Sequence, residues 1–425
     1  MYDDFHYSSL QSFSVMTCMM ISTTLRRLLC RCNLLWVDTD LSEPIGVDQG
    51  RLVKHNDENF QIHFNAVDCG VPFLEADADC LLSSLHYLDG NNVEVAKHLV
   101  YDLPLEDKKG HHYPLVVKVT KFICGGFTIG LSISHRLCDG YGGSQFYEAI
   151  IELARGNNEP SVKPVWERER LIGSTTKLPF QDLKDVVSVA VSPFGLSTTL
   201  VHECFQVDLE SIRRLKMRLM KESGNESMEE KSFTTFETLG AYIWRSRARA
   251  LQLKNEGKTI LSIAIGMRGR LDPPLPDGYY GNATLDAHVA LTVKELNERP
   301  LLEVMKVIRH KKKAALTADS IKNTIDTICP SLEYFENFGP AFTSLIDWRP
   351  FGLKEKMDFG GRKLVNMTPV PCSESMSECI ITPPSKLEPS MKGRVGIFLS
   401  LPAAAMIKFK QEIQNLEIIK PFGRL

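Results

Sequence analysis

The chain has 425 residues, of which 43 % are hydrophobic and 24 % charged, and its net charge is −2. That length suffices for two domains with well-buried cores, and the near-neutral balance excludes charge-driven binding of nucleic acid or an anionic membrane. Eleven cysteines are scattered without metal-ligand spacing, which predicts free thiols in a reducing, cytoplasmic setting and no metal site.

Residues 1–47 carry apolar patches from Phe13 to Val37, interrupted by Arg26, Arg27 and Arg31. The stretch is too broken to span a membrane. Its charges follow the apolar part instead of preceding it, unlike a signal peptide. The segment is expected to be irregular and poorly packed. From Gly50 to Arg170 strands alternate with short turns, Phe60–Phe64 and Leu115–Phe122 being strand-like. In Phe127 to Ile133 the apolar residues Phe127, Ile129, Leu131 and Ile133 alternate with small or polar ones, the period of a strand. His135 and Asp139 follow, and then Gly140, Gly142 and Gly143, read as a glycine-rich turn before a helix over Ser144 to Leu153.

Residues Gly173 to Thr199 lack periodicity and predict a long crossover. Asp208 to Met220 reads as an amphipathic helix. Thr234 and Glu237 form a capping-box pattern ahead of an apolar stripe of Phe236, Leu239, Ile243 and Trp244. Leu261–Met267 is a predicted strand, and Leu301–Leu316 a basic amphipathic helix with a solvated face. Val395–Leu401 is a further strand and Ala403–Leu416 a terminal helix.

His135 stands where a strand ends, so rigid elements can hold its imidazole, and histidine is the commonest general base near neutral pH. On spacing alone the bland reading wins: His-x-x-x-Asp arises often by chance, and a strand-end histidine is usually structural. Cys138 lacks a second base to activate it as a nucleophile. Ser132 and Ser134 do not lie on a Gly-x-Ser-x-Gly elbow, which weakens a hydrolase reading.

The run from Cys124 through His135 to Asp139-Gly140 resembles the plant BAHD acyltransferases, relatives in fold of chloramphenicol acetyltransferase. Gly50-Arg51-Leu52, Pro160 to Leu171, Thr234-Thr235-Phe236-Glu237, Met267-Arg268-Gly269-Arg270, Tyr279-Tyr280-Gly281-Asn282 and Asp358-Phe359-Gly360 match further family segments in order, covering about residues 48 to 425. Two departures stand out. Gly361-Arg362 replaces the Trp-Gly that normally completes the second signature, and residues 1–47 do not resemble the family, as if an alternative start or a transit-like segment replaced its N-terminus.

The resemblance implies an α/β fold of two chloramphenicol-acetyltransferase-like domains with mixed sheets, joined by a long crossover loop. The expected division is an atypical segment 1–47, an N-terminal domain 48–172 with about 358–380, a linker 173–199, and a C-terminal domain 200–357 with about 381–425. It further implies a monomeric enzyme that uses acyl-CoA as co-substrate, with no permanently bound cofactor. His135 would be the general base. Asp139 would turn away from it and pair with Arg268, while Gly140, Asp358, Phe359 and Gly360 serve structure at the site. Thr234, Thr235, Phe236, Glu237 and Arg349 would meet CoA, the free N–H groups of a helix start and a cation suiting its polar arm and phosphates. The closest motif wording predicts transfer of an acetyl, benzoyl or related aromatic acyl group to a hydroxyl of a small plant metabolite. An amine acceptor and an inactive paralogue retaining the fold are the alternatives.

Overall fold

In the computed structural model the described residues are 11–19, 51–54, 60–63, 73–88, 93–100, 114–174, 183, 186, 188–195, 199–224, 233–327, 334–335, 337–351, 364–370, 376–383 and 394–417. They build two mixed sheets, each packed against helices. The first half supplies β1 (Gln11–Met19), a small hairpin of β2 (Arg51–Lys54) and β3 (Phe60–His63), then β4 (Phe73–Ala78), helix α1 (Val93–Leu99), β5 (Leu115–Phe122), β6 (Gly126–Ser134) and helix α2 (Gly140–Ala154). The second half supplies β7 (Leu200–Asp208), α3 (Leu209–Ser223), α4 (Thr235–Ala250), β8 (Lys258–Gly266), β9 (Thr284–Thr292), α5 (Val293–Glu298), α6 (Leu301–Ala315), α7 (Ala318–Asp326) and β10 (Phe342–Asp347). Strands β11 (Leu364–Val370), β12 (Glu378–Thr382) and β13 (Arg394–Pro402) and helix α8 (Ala403–Glu417) complete the chain.

The five-stranded sheet has the order β11-β1-β6-β5-β4 and the six-stranded sheet the order β7-β13-β12-β10-β8-β9. Strand β11, late in the chain, therefore returns to the first sheet, and β12 is already back in the second. That return is complete at Glu378, slightly before the expected boundary near residue 381. The expectation of an irregular segment 1–47 needs correcting. Its residues Gln11–Met19 form a strand that pairs antiparallel with both β6 and β11. Two open ladders flank this position, and their backbone groups demand partners. A short stretch rich in Ser, Thr and Val meets that demand without helical or heptad signals of its own.

Alternation on β6 turns Phe127, Ile129 and Leu131 toward Phe146 and Ile150 of α2, with Leu364 and Met367 of β11 beside them. In the second half Trp244 of α4, Leu345 of β10, Ile397 of β13 and Phe409 of α8 are fully buried in one core on the helix-covered face of the sheet. Arg247, buried in the same helix, donates to the carbonyls of Pro340 and Met376 at 2.8 Å each and to Thr343 Oγ1 at 2.9 Å. A buried guanidinium needs every donor occupied, and these bonds staple α4 to both β10 and β12. The opposite face of this sheet carries Asp286, His288, Ser262, Ser344 and Glu378, and it looks toward the loop after β6.

Candidate active site

His135 follows the last residue of β6, and the tight loop Arg136–Cys138 carries the chain into α2. The predicted glycine-rich turn is different in form: Gly140, Gly142 and Gly143 lie inside the first turn of α2, and Asp139 is its N-cap, accepting from Gly142 N at 2.9 Å. Gly140 and Gly142 are there for clearance. A Cβ on Gly142 would lie 1.9 Å from the carbonyl oxygen of Tyr280, and one on Gly140 would lie 2.5 Å from the Phe351 ring.

Asp139, 3 % exposed, turns its carboxylate to the second half of the chain, and only its charge reaches the imidazole. Its carboxylate accepts from Arg268 Nη1 at 2.7 Å and Nη2 at 2.8 Å, and from Ala283 N at 3.0 Å. Arg268 also donates to Gly281 O at 2.6 Å and stacks over Tyr141, 4.6 Å from its ring centre. The fork geometry of arginine suits a two-pronged bond to a carboxylate.

Three residues given no individual role by the sequence reading complete the cradle of His135. Asn282 donates from Nδ2 to the His135 carbonyl at 2.6 Å. Arg168, 5 % exposed, donates to Leu137 O at 2.5 Å and to Arg136 O at 3.4 Å. Its guanidinium lies over Trp166 and Tyr280, at 4.5 and 5.3 Å from their ring centres. The third is Asp286 on β9, close enough for its charge to act on the imidazole. Asn282 and Arg168 sit in segments singled out above, Tyr279 to Asn282 and Pro160 to Leu171. Asp286 had a signal too: Thr284, Asp286 and His288 alternate with Leu285, Ala287 and Val289, a polar face on an otherwise buried strand.

Burial holds His135 below its ordinary imidazole value. The charges of Asp139 and Asp286, its own backbone and the Asn282 side chain pull the other way without overcoming it. The ring is therefore neutral at pH 7 and able to take a proton. Burial, with the adjacent Asp139 charge, pushes the Cys138 thiol up to about 12, which leaves it inert as a nucleophile.

The CoA-assigned residues fall in two places. Thr234 caps α4, its Oγ1 accepting from Glu237 N at 3.1 Å. Only half of a capping box forms, because the Glu237 carboxylate is taken by Arg309 at 2.8 Å and Lys312 at 2.9 Å. Burial alone would raise Glu237, but hydrogen bonds and charge from Lys312 and Arg309 hold it below the usual range. Phe236 packs into the core and Glu237 is 3 % exposed, so of this group only Thr234 and Thr235 face outward. Arg349 is forked onto Asp347 at 2.8 and 2.6 Å, in a turn whose Phe351 packs on Gly140. The structure thus brings together His135, Asp139, Gly140 and Arg268, places the Arg349 turn beside them, and sets Thr234–Glu237 apart at the start of α4. Asp358, Phe359 and Gly360 lie outside the described residues. So does Gly50. Among the described residues no group of His, Cys, Asp and Glu is arranged to hold a metal ion, and no helix is long and apolar enough to cross a membrane.

Residues 49–416 match the transferase family. The chain is 39 % identical over 376 residues to the spermidine coumaroyl-CoA acyltransferase of Arabidopsis thaliana, covering 87 % of this chain and 80 % of that one. It is 31 % identical over 364 residues to the taxadien-5-alpha-ol O-acetyltransferase of Taxus chinensis, covering 84 % and 78 %. The structure of vinorine synthase superposes with a TM-score of 0.67 over 96 % of this chain and 90 % of that one, at 19 % identity, a likeness of fold.

Proposed function

Given that this chain belongs to the transferase family of the plant BAHD acyltransferases and is an acyltransferase, we propose that it transfers an acyl group from acyl-CoA to an amine, with His135 as general base. The observation that carries this reading is the placement of His135: a neutral imidazole, clamped by Asn282 and backed by the Arg168-braced loop, on the side where the two halves of the chain face each other. A thioester is already activated, so no protein nucleophile is needed. The acceptor nitrogen attacks the thioester carbonyl as a free amine, and a C–N bond forms. His135 takes the proton that the nitrogen sheds, the C–S bond breaks, and the imidazolium returns the proton to the departing thiolate. The products are an amide and CoA thiol. Holding both substrates at one base supplies proximity, a large share of the barrier reduction.

The amine is favoured over the hydroxyl first expected because a relative of higher identity carries spermidine in its name, whereas the O-acetyltransferase relative is more distant. A hydroxyl acceptor is the second reading, since the same base serves either nucleophile. On the donor side, Thr234, Thr235 and Arg349 are proposed to meet CoA, while Asp139, Arg268 and Gly140 hold the His135 loop. CoA-thiol release over a panel of acyl-CoA donors with amine and alcohol acceptors tests the reading. Turnover with amines is expected, and His135→Ala should lower it by roughly 10²–10⁴ with CoA affinity unchanged. Turnover surviving that substitution within about twofold would sink the assignment of His135.

A further inference from the structure

Strand register puts an unusual row of side chains on the face of the second sheet that looks toward His135. Glu378 of β12 pairs with Ser344 of β10, Ser344 pairs with Ser262 of β8, and Ser262 pairs with His288 of β9. Residues in register across a sheet share a face, so Glu378, Ser344, Ser262 and His288 form one line. Asp286 is two residues from His288 on the same face, and the Ser262 hydroxyl donates to it. On strand spacings the Cα atoms of Glu378 and Asp286 are about 16 Å apart. Between them the two serines are short, so the line reads as a shallow trough with a carboxylate at each end and the His288 ring, stacked on Phe335, along it.

Among the described residues neither carboxylate is matched by a lysine or arginine. Among the described residues Glu378 has no hydrogen-bond or ion-pair partner, and burial alone pushes it up. Asp286 is also raised by burial, opposed only by His288, Ser262 and His135. Among the described residues the two fully buried carboxylates are paired with arginine or lysine, Asp139 with Arg268 and Glu237 with Arg309 and Lys312. At the His135 end, Asn282 is 5 % exposed and its side chain bears on the imidazole. Two half-buried carboxylates left without a cationic partner are costly unless a donor arrives with the ligand.

We infer that Asp286 and Glu378 are specificity residues that hold the cationic nitrogens of a linear di- or triamine, laid along the Ser262–Ser344 trough with one terminal nitrogen at His135. This rests on the amine reading above and deepens it. Asp286 holds the ammonium nearer the reacting end and Glu378 the distal one. The reacting nitrogen beside His135 is the neutral one. A monoamine reaches His135 but leaves Glu378 unmatched, so the trough discriminates by chain length and by number of charges.

The test is the ratio of kcat/KM for spermidine over that for hexylamine, with coumaroyl-CoA as donor, in the wild type, Glu378→Gln, Asp286→Asn and the exposed charge control Glu210→Gln. Each carboxylate variant should lower the ratio at least tenfold through the KM for spermidine, and Glu210→Gln should leave it unchanged. Retained melting temperature and CoA affinity certify folding. If Glu378→Gln does not fold, Glu378→Asp, which keeps the charge on a shorter arm, should give an intermediate ratio. Ratios within twofold of wild type in both carboxylate variants, with amine turnover intact, overturn the trough and spare the proposed function. If the wild type turns over no amine, that function fails first, and calorimetric titration of spermidine into the CoA-loaded protein decides the trough. Binding at least tenfold weaker in Glu378→Gln supports it, and equal binding, or none to the wild type, overturns it.

Discussion

Asp139 and Arg268, 129 residues apart in sequence, meet in a two-pronged ion pair at 2.7 and 2.8 Å that also caps the helix after the His135 loop. One carboxylate thus performs three tasks: it neutralises a guanidinium, starts α2, and accepts from Ala283 N of the other half. None of these contacts is with the imidazole, so the pair fixes where His135 stands.

Asp139→Asn should therefore lower stability along with activity. Removing one partner of an enclosed ion pair costs about 3–5 kcal/mol. Denaturant unfolding and turnover measured on the same preparation check this. A variant that kept its unfolding midpoint but lost turnover would make Asp139 an orienting acid for His135.

Two glycines in the same helical turn should respond oppositely to alanine. Gly142→Ala drives a methyl to 1.9 Å from a backbone carbonyl, which cannot swing aside, and should destabilise by about 1–3 kcal/mol. Gly143→Ala meets nothing nearer than Cys138 Sγ at 4.0 Å and should stabilise by about 0.5–1 kcal/mol, the ordinary helical preference. Melting temperatures of the two variants settle it. Equal shifts would mean that α2 and the Tyr280 turn do not touch.

The pH profile carries the sign of the shift on His135. Burial lowers it, so the neutral base persists below the ordinary value of 6.5. With an amine acceptor, kcat/KM falls as pH drops because the acceptor becomes ammonium. The slope should then double where His135 gains its proton. That steepening is expected below pH 6.5. Steepening above that value would show a base stabilised in its charged form, contrary to the observed enclosure.

Much of this molecule can be read without coordinates because its signals are local. Alternation marks β6, and the Leu115–Phe122 run matches β5 residue for residue. The motif run around His135 pointed to the histidine before any contact was known. Thr234 capping α4 was legible from side-chain chemistry over four residues. What tertiary structure decided is different in kind. Residues Gln11–Met19 become a strand because two distant ladders leave a slot between them, a cause absent from their own pattern. Glu237 leaves its capping box because Arg309 and Lys312 arrive from α6 and bind it more strongly than a backbone amide would. Gly142 is demanded by a carbonyl 138 residues away. The line from Glu378 to Asp286 exists only through the register of four strands drawn from separate parts of the chain. Periodicity and capping belong to neighbours in sequence, so sequence by itself determines them. Clearance, charge pairing and strand register belong to neighbours in space, and only folding brings those together.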